Sequence, residues 1–222
     1  MECFIIVTVL WIFSVCLHEF GHAWAAYRGG DYTVRDKGYL TLNPIHYTHP
    51  VYSLLMPVVF MILGGIGLPG GAVYIERHLL KSRAWDTWVS LAGPAMNVPM
   101  VLIISLCFKI GLLPPTADHL ASVALGLLLQ LEVSAIILNL LPIPPLDGFQ
   151  ALAPWLPEHV RERAYAFSNQ TLWILFLALW YIQPLNIAFW SVVDGVSSAL
   201  GVPPYLAYAG WESFRFWKHP DF

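Results

Sequence analysis

The chain has 222 residues, of which 58% are hydrophobic and only 11% charged, and its formal net charge is −3. Soluble domains carry roughly twice that share of charge, and the mean hydropathy is +0.63. These values exclude an ordinary soluble domain and leave no basic tract for nucleic acid; they place the chain in lipid as one compact helical bundle.

Five segments are apolar enough to enter a bilayer, where about 20 helical residues span the hydrocarbon core. The first is about Cys3–Tyr27. It lacks the charged start and the cleavage site of a secretory signal, so it reads as a retained helix. It is uncharged from Cys3 to Leu17 and then reads His18-Glu19-Phe20-Gly21-His22. Arg28–Pro50 is polar and opens with a Gly29-Gly30-Asp31 turn. Tyr32-Thr33-Val34 and Tyr39-Leu40-Thr41-Leu42, around Asp36-Lys37-Gly38, predict a small β-hairpin. The second apolar segment, Val51–Leu68, is short and broken by Pro57, Gly64, Gly65 and Gly67. Gly70–Ile75 is another strand candidate. Ala84–Leu113 and His119–Leu141 are long enough to span. Thr171–Val193 is interrupted by Pro184 and reads as one bent helix or two shorter pieces. Gly201–Phe222 is rich in aromatics, which favour the water–lipid boundary, and is expected to lie along a surface. The predicted architecture is an all-α polytopic membrane protein. It has about 4–6 transmembrane helices, with small β-hairpin or re-entrant elements between the first and third apolar segments. Cys3, Cys16 and Cys107 lie in apolar stretches without paired spacing and read as buried thiols.

Imidazoles and carboxylates are costly at membrane depth, so His18, Glu19 and His22 mark a site. On a helix, residues four apart share a face one turn apart. His18 and His22 can therefore chelate one ion, with Glu19 beside them as general base. A catalytic zinc takes three protein ligands and keeps one position for water. The acidic candidates for the third ligand are Glu132 and Asp147. Glu132 lies mid-helix without a polar cluster around it and reads as a polar contact between helices or a site facing a water channel. Asp147 follows Asn139-Leu140-Leu141-Pro142-Ile143-Pro144-Pro145-Leu146, where three prolines stop the helix. It reads either as a ligand or as the turn residue of an Asp-Gly pair. Asn97, beside the small residues Ala92, Gly93 and Ala95, reads as a hydrogen-bond donor between closely packed helices.

His-Glu-Phe-Gly-His, followed far downstream by Asn-x-x-Pro-x-Pro-x-x-Asp-Gly, resembles the site-2 protease family of intramembrane zinc metalloproteases. Leu91–Asn97 is similar to that family's Ala-Gly-Pro segment, and Leu42-Asn43-Pro44 resembles a signature of its compact branch, which lacks PDZ and CBS domains. The resemblance runs from about Ser14 to Phe149. It implies that His18, His22 and Asp147 hold one zinc ion, that Glu19 activates water, and that Asn139 holds the substrate or the oxyanion. It further implies cleavage of transmembrane protein substrates in a lipid bilayer, with no nucleic-acid partner. Residues 1–200 would form the protease domain and 201–222 an interfacial tail. His46-Tyr47-Thr48-His49-Pro50 departs from the His-x-Asp-Pro of some compact members and receives no catalytic role. A non-cleaving relative that binds membrane helices and a metal transporter are the competing readings. The single cluster at one depth disfavours a transporter, and the intact Glu19 disfavours a non-cleaving protein.

The three ligands must also meet at one depth, near the ends of helices that run toward the same face. The chain must then cross back an odd number of times between them, so Val51–Leu68 is expected to dip and return or to pack as a partly buried element. Eight of the eleven basic residues would then share one face, which the positive-inside rule makes cytoplasmic. By analogy the membrane is expected to be a bacterial cytoplasmic membrane.

Overall fold

The computed structural model describes residues 1–43 and 73–218. Its helices, in chain order, are α1 (Glu2–Gly29), α2 (Thr33–Asp36), α3 (Arg83–Lys109), α4 (Leu120–Asn139), α5 (Asp147–Leu152), α6 (Glu158–Ala166), α7 (Ser168–Tyr181), α8 (Gln183–Ala199) and α9 (Pro204–Phe214). Among the described residues α1, α3 and α4 are each long and apolar enough to cross a membrane. A bent pair from α7 and α8, turned by 91° around Ile182, raises the number to four if it counts as one span. The expected break near Pro184 is therefore real.

Local chemistry sets the boundaries. Gly30 ends α1 in the left-handed region at φ 117°, where its N–H reaches back to the last turn, a conformation that glycine adopts without a Cβ penalty. Ser82 caps α3 by accepting from the Trp85 N–H, and the His119 ring does the same for Ser122 at the start of α4. These side chains satisfy helix-end donors that lipid could not.

In its most apolar stretch α4 is 72% buried against 44% for α1, so α4 is the central helix. Leu127, Leu128, Leu129 and Leu131 are wholly enclosed there. Helix α1 packs on α3 and α4, and α9 packs on α4 and α1. Small residues allow this, as expected where lipid supplies no hydrophobic drive for association. A Cβ on Gly21 would sit 2.5 Å from the Ala92 carbonyl oxygen of α3, and one on Gly210 would sit 2.5 Å from that of Val123 in α4. The aromatic C-terminal stretch contributes α9, whose Leu206, Ala207, Gly210 and Phe214 are buried, while Tyr205 and Tyr208 face outward.

The β-hairpin expected over residues 31–42 is not formed. The Asp31 carboxylate accepts from the Thr33 N–H (3.0 Å) and hydroxyl (2.6 Å), which starts the one-turn helix α2 instead. Gly38, at φ 76°, closes it as the Tyr39 N–H returns to the Val34 carbonyl. Local side-chain bonding thus overrides strand propensity. Among the described residues there is no strand. Residues 73–75 of the second strand candidate are not in a strand, and its beginning lies outside the described residues, as does Val51–Leu68.

The flanks of that segment nevertheless fix the direction of the chain. The Lys81 N–H donates to the Gly29 carbonyl at 2.8 Å, and its ammonium to the Arg28 carbonyl at 2.9 Å. The end of α1 and the approach to α3 are therefore side by side. Helices α1 and α3 run antiparallel, and α4 again runs in the sense of α1. The C-terminal ends of α1 and α4 share one face of the bundle with the start of α3.

Candidate metal centre

His18, Glu19 and His22 project from the second half of α1 and are all buried. His18 Nε2 and His22 Nε2 are 3.1 Å apart. Asp147 completes the cluster, with Oδ2 3.1 Å from His18 Nε2 and Oδ1 3.4 Å from His22 Nε2. One ligand atom from each residue lies within 4.8 Å of the others, and this is the one such cluster among the described residues.

The surroundings orient each donor. His22 Nδ1 is 2.7 Å from the Val89 carbonyl oxygen of α3. A carbonyl only accepts, so Nδ1 carries the proton and the Nε2 lone pair points into the cluster. Gly93 leaves the room. A Cβ there would overlap His22 Nε2 and lie 2.7 Å from His18 Nε2. Asp147 opens α5 immediately after the proline-rich loop, which contains a cis Pro144–Pro145 bond. Gly148 tucks under the Leu140 and Leu141 carbonyls, where no Cβ fits.

A polar network pins α5 to α3. The Arg77 guanidinium pairs with Asp86, reaches Ser90 at 3.3 Å and donates to Gln150 at 2.5 Å. Gln150 donates in turn to the Pro145 carbonyl at 3.1 Å. The Thr87 hydroxyl donates to the Ala151 carbonyl at 2.8 Å.

The donor set fits a cation. Two imidazole nitrogens and a carboxylate converge, and Asp147 Oδ2 is buried without an aligned hydrogen bond among the described residues. A borderline-soft divalent ion with N and O ligands, such as zinc, matches this chemistry. Glu19 stands beside the cluster, and its Oε2 accepts from the Val73 N–H at 3.0 Å. Asn139, the last residue of α4, is buried and shares a small cavity with His18 and Glu19.

The structure brings together all five residues singled out from the sequence. Glu132 lies elsewhere: it is wholly buried in α4 and accepts from the Asn97 amide at 3.0 Å. Asn97 thus bridges helices as expected, since it also donates to Ser14 at 3.0 Å. Sequence reasoning missed the Val89 carbonyl, the Val73 N–H and the Arg77–Gln150 link. Backbone groups carry no sequence signal, and nothing in the local sequence ties Arg77 to Gln150.

Fold and site define a helical membrane protein with a buried two-histidine, one-aspartate metal-binding geometry and an adjoining carboxylate. Comparison with known proteins gives the family. A protein of Mycolicibacterium smegmatis named "Putative zinc metalloprotease Rip2" is 44% identical over 217 residues, spanning 97% of this chain and 82% of that one. The protein of the same name in Mycobacterium tuberculosis is 44% identical over 216 residues, with the same two shares. "Putative zinc metalloprotease YwhC" of Bacillus subtilis is 30% identical over 202 residues, or 86% of each chain. No family model and no solved structure matches the chain. The chain belongs to the site-2 protease family of zinc metalloproteases.

Proposed function

We propose that the chain is an intramembrane zinc endopeptidase, cutting peptide bonds within or next to transmembrane segments of membrane-protein substrates in regulated intramembrane proteolysis. The observation that carries this reading is the convergence of His18, His22 and Asp147, with Glu19 alongside, at the end of a helix apolar enough to span a bilayer. In this reading His18, His22 and Asp147 hold one zinc ion. Zinc there supplies Lewis-acid polarisation of a carbonyl and of water. Glu19 takes a proton from the attacking water and passes it to the leaving nitrogen. The Val73 N–H fixes the rotation of that carboxylate. Asn139, on the same cavity wall, stabilises the oxyanion or holds the substrate. The reading also places the protein in a bacterial cytoplasmic membrane with the site toward the cytoplasm. Arg28, Arg35, Lys37, Arg77, Lys81, Arg83, Arg161 and Arg163 lie on the site's side of the bundle, and Lys109, Arg215 and Lys218 at the other end, which supports that orientation.

The test is cleavage of a panel of single-span model substrates by purified protein in lipid, for wild type and Glu19→Gln. Glu19→Gln is expected to bind zinc as wild type does and to lose about 10²–10⁴-fold in kcat. Equal cleavage by both would reject Glu19 as the base. A zinc-loaded wild type that cleaves nothing in the panel counts against the protease reading.

A further inference from the structure

Beside the metal centre lies a small, partly open cavity with about 10 Å³ of room for a water-sized molecule. It is bounded by Trp11, Ser14 and Asn97 on one side and by His18, Glu19 and Asn139 on the other. Two of its lining residues carry complementary polar atoms that have no partner among the described residues. The Trp11 indole Nε1–H is a donor without an acceptor, and Asn97 Oδ1 is an acceptor without a donor. Both residues are buried, at 2% and 5% exposure. An unpaired buried polar atom costs about 1–3 kcal/mol, and at membrane depth no bulk solvent relieves it.

The orientation of Asn97 is fixed from behind. Its two amide hydrogens are taken by Ser14 Oγ and Glu132 Oε2, each at 3.0 Å. With both amide hydrogens so used, the carbonyl Oδ1 is the group Asn97 has left to offer. A buried water needs two to four polar partners and space of this size. The cavity supplies a donor from Trp11, an acceptor from Asn97, and the carboxylate or amide of Glu19 and Asn139 across from them.

We infer that this cavity is a water-binding subsite, in which Trp11 donates to a resident water and Asn97 accepts from it, and which holds water in reserve for hydrolysis at Glu19. Glu132 and Ser14 are positioning residues that act through Asn97. The hydrolytic role rests on the protease reading above, whereas occupancy of the cavity does not. No bond changes in this step: a neutral water moves from the subsite to Glu19, and another replaces it.

The experiment pairs an experimental structure, at a resolution that shows single waters, with kinetics on a single-span model substrate. The proteins are wild type, Trp11→Phe and Asn97→Leu. Trp11→Phe keeps the ring and removes only the N–H. Wild type is expected to show one ordered water within hydrogen-bond distance of Trp11 Nε1 and Asn97 Oδ1, and Trp11→Phe to lose it. Trp11→Phe is expected to keep its zinc content, melting temperature and KM while kcat falls about tenfold, the equivalent of one lost hydrogen bond in the rate. Asn97→Leu serves as the second probe where it remains folded. A dry cavity in wild type overturns the inference. So does an ordered water whose loss leaves kcat unchanged, because that water is structural only. The density decides occupancy even in a preparation that cleaves nothing, which separates this failure from failure of the protease reading.

Discussion

Two helix pairs in this protein use the same device for different ends. At α1–α3, Gly21 and Gly93 bring backbones together; at α4–α9, Gly126 and Gly210 do so. In the second pair the missing Cβ atoms make way for Leu206, Val123 and Leu127, so the space is filled by packing alone. In the first pair Gly93 makes way for two imidazole nitrogens. Close approach is general in lipid, where helices associate through small residues. What is particular to α1–α3 is that the cleared space is lined with ligand atoms.

The sharpest way to break the comparison is one methyl group in each pair. Gly93→Ala puts a Cβ onto the Nε2 atoms and is expected to weaken zinc binding about 100-fold or more, with turnover lost in proportion. Zinc titration of the folded variant checks this. Arg77→Ala comes next, since it frees α5 from α3 without touching a ligand. A kcat about tenfold lower at saturating zinc, with zinc weakened in parallel, is the expected outcome. Unchanged kinetics would show that Asp147 needs no such support. In the packing pair, Gly210→Ala is expected to cost about 1–3 kcal/mol of stability while zinc per folded chain stays at the wild-type value. Thermal unfolding in detergent alongside metal analysis measures both. Smallest is Thr87→Ala, which removes the bond to the Ala151 carbonyl and the bond that the Trp155 indole N–H donates to the Thr87 hydroxyl, and should cost about 1 kcal/mol in all.

The same contrast explains what was legible in the sequence. Helices α1, α3 and α4 are announced by long, largely apolar runs, and the ligands by residue types that lipid tolerates only with a reason. The proline-rich loop marks the end of α4 and delivers Asp147. Less legible was everything done by backbone. The Val89 carbonyl that sets the His22 tautomer and the Val73 N–H on Glu19 could belong to any residue type. The hairpin expectation failed because Tyr32–Val34 and Tyr39–Leu42 have strand-forming side chains, yet Asp31 captures Thr33 first. One short-range carboxylate contact outweighed several weak propensities. Asn97 and Trp11 were visible as residues, but their unpaired atoms emerge only when three helices are assembled.

In the proposed function, two imidazoles and one carboxylate from α1 and α5 form a single zinc site. Zinc-edge X-ray absorption on the purified protein tests it most directly. One zinc per chain is expected, with nitrogen and oxygen neighbours at about 2.0–2.2 Å and imidazole scattering from two histidines. Sulfur neighbours at about 2.3 Å, or a folded chain that cannot be loaded with zinc at all, would contradict it.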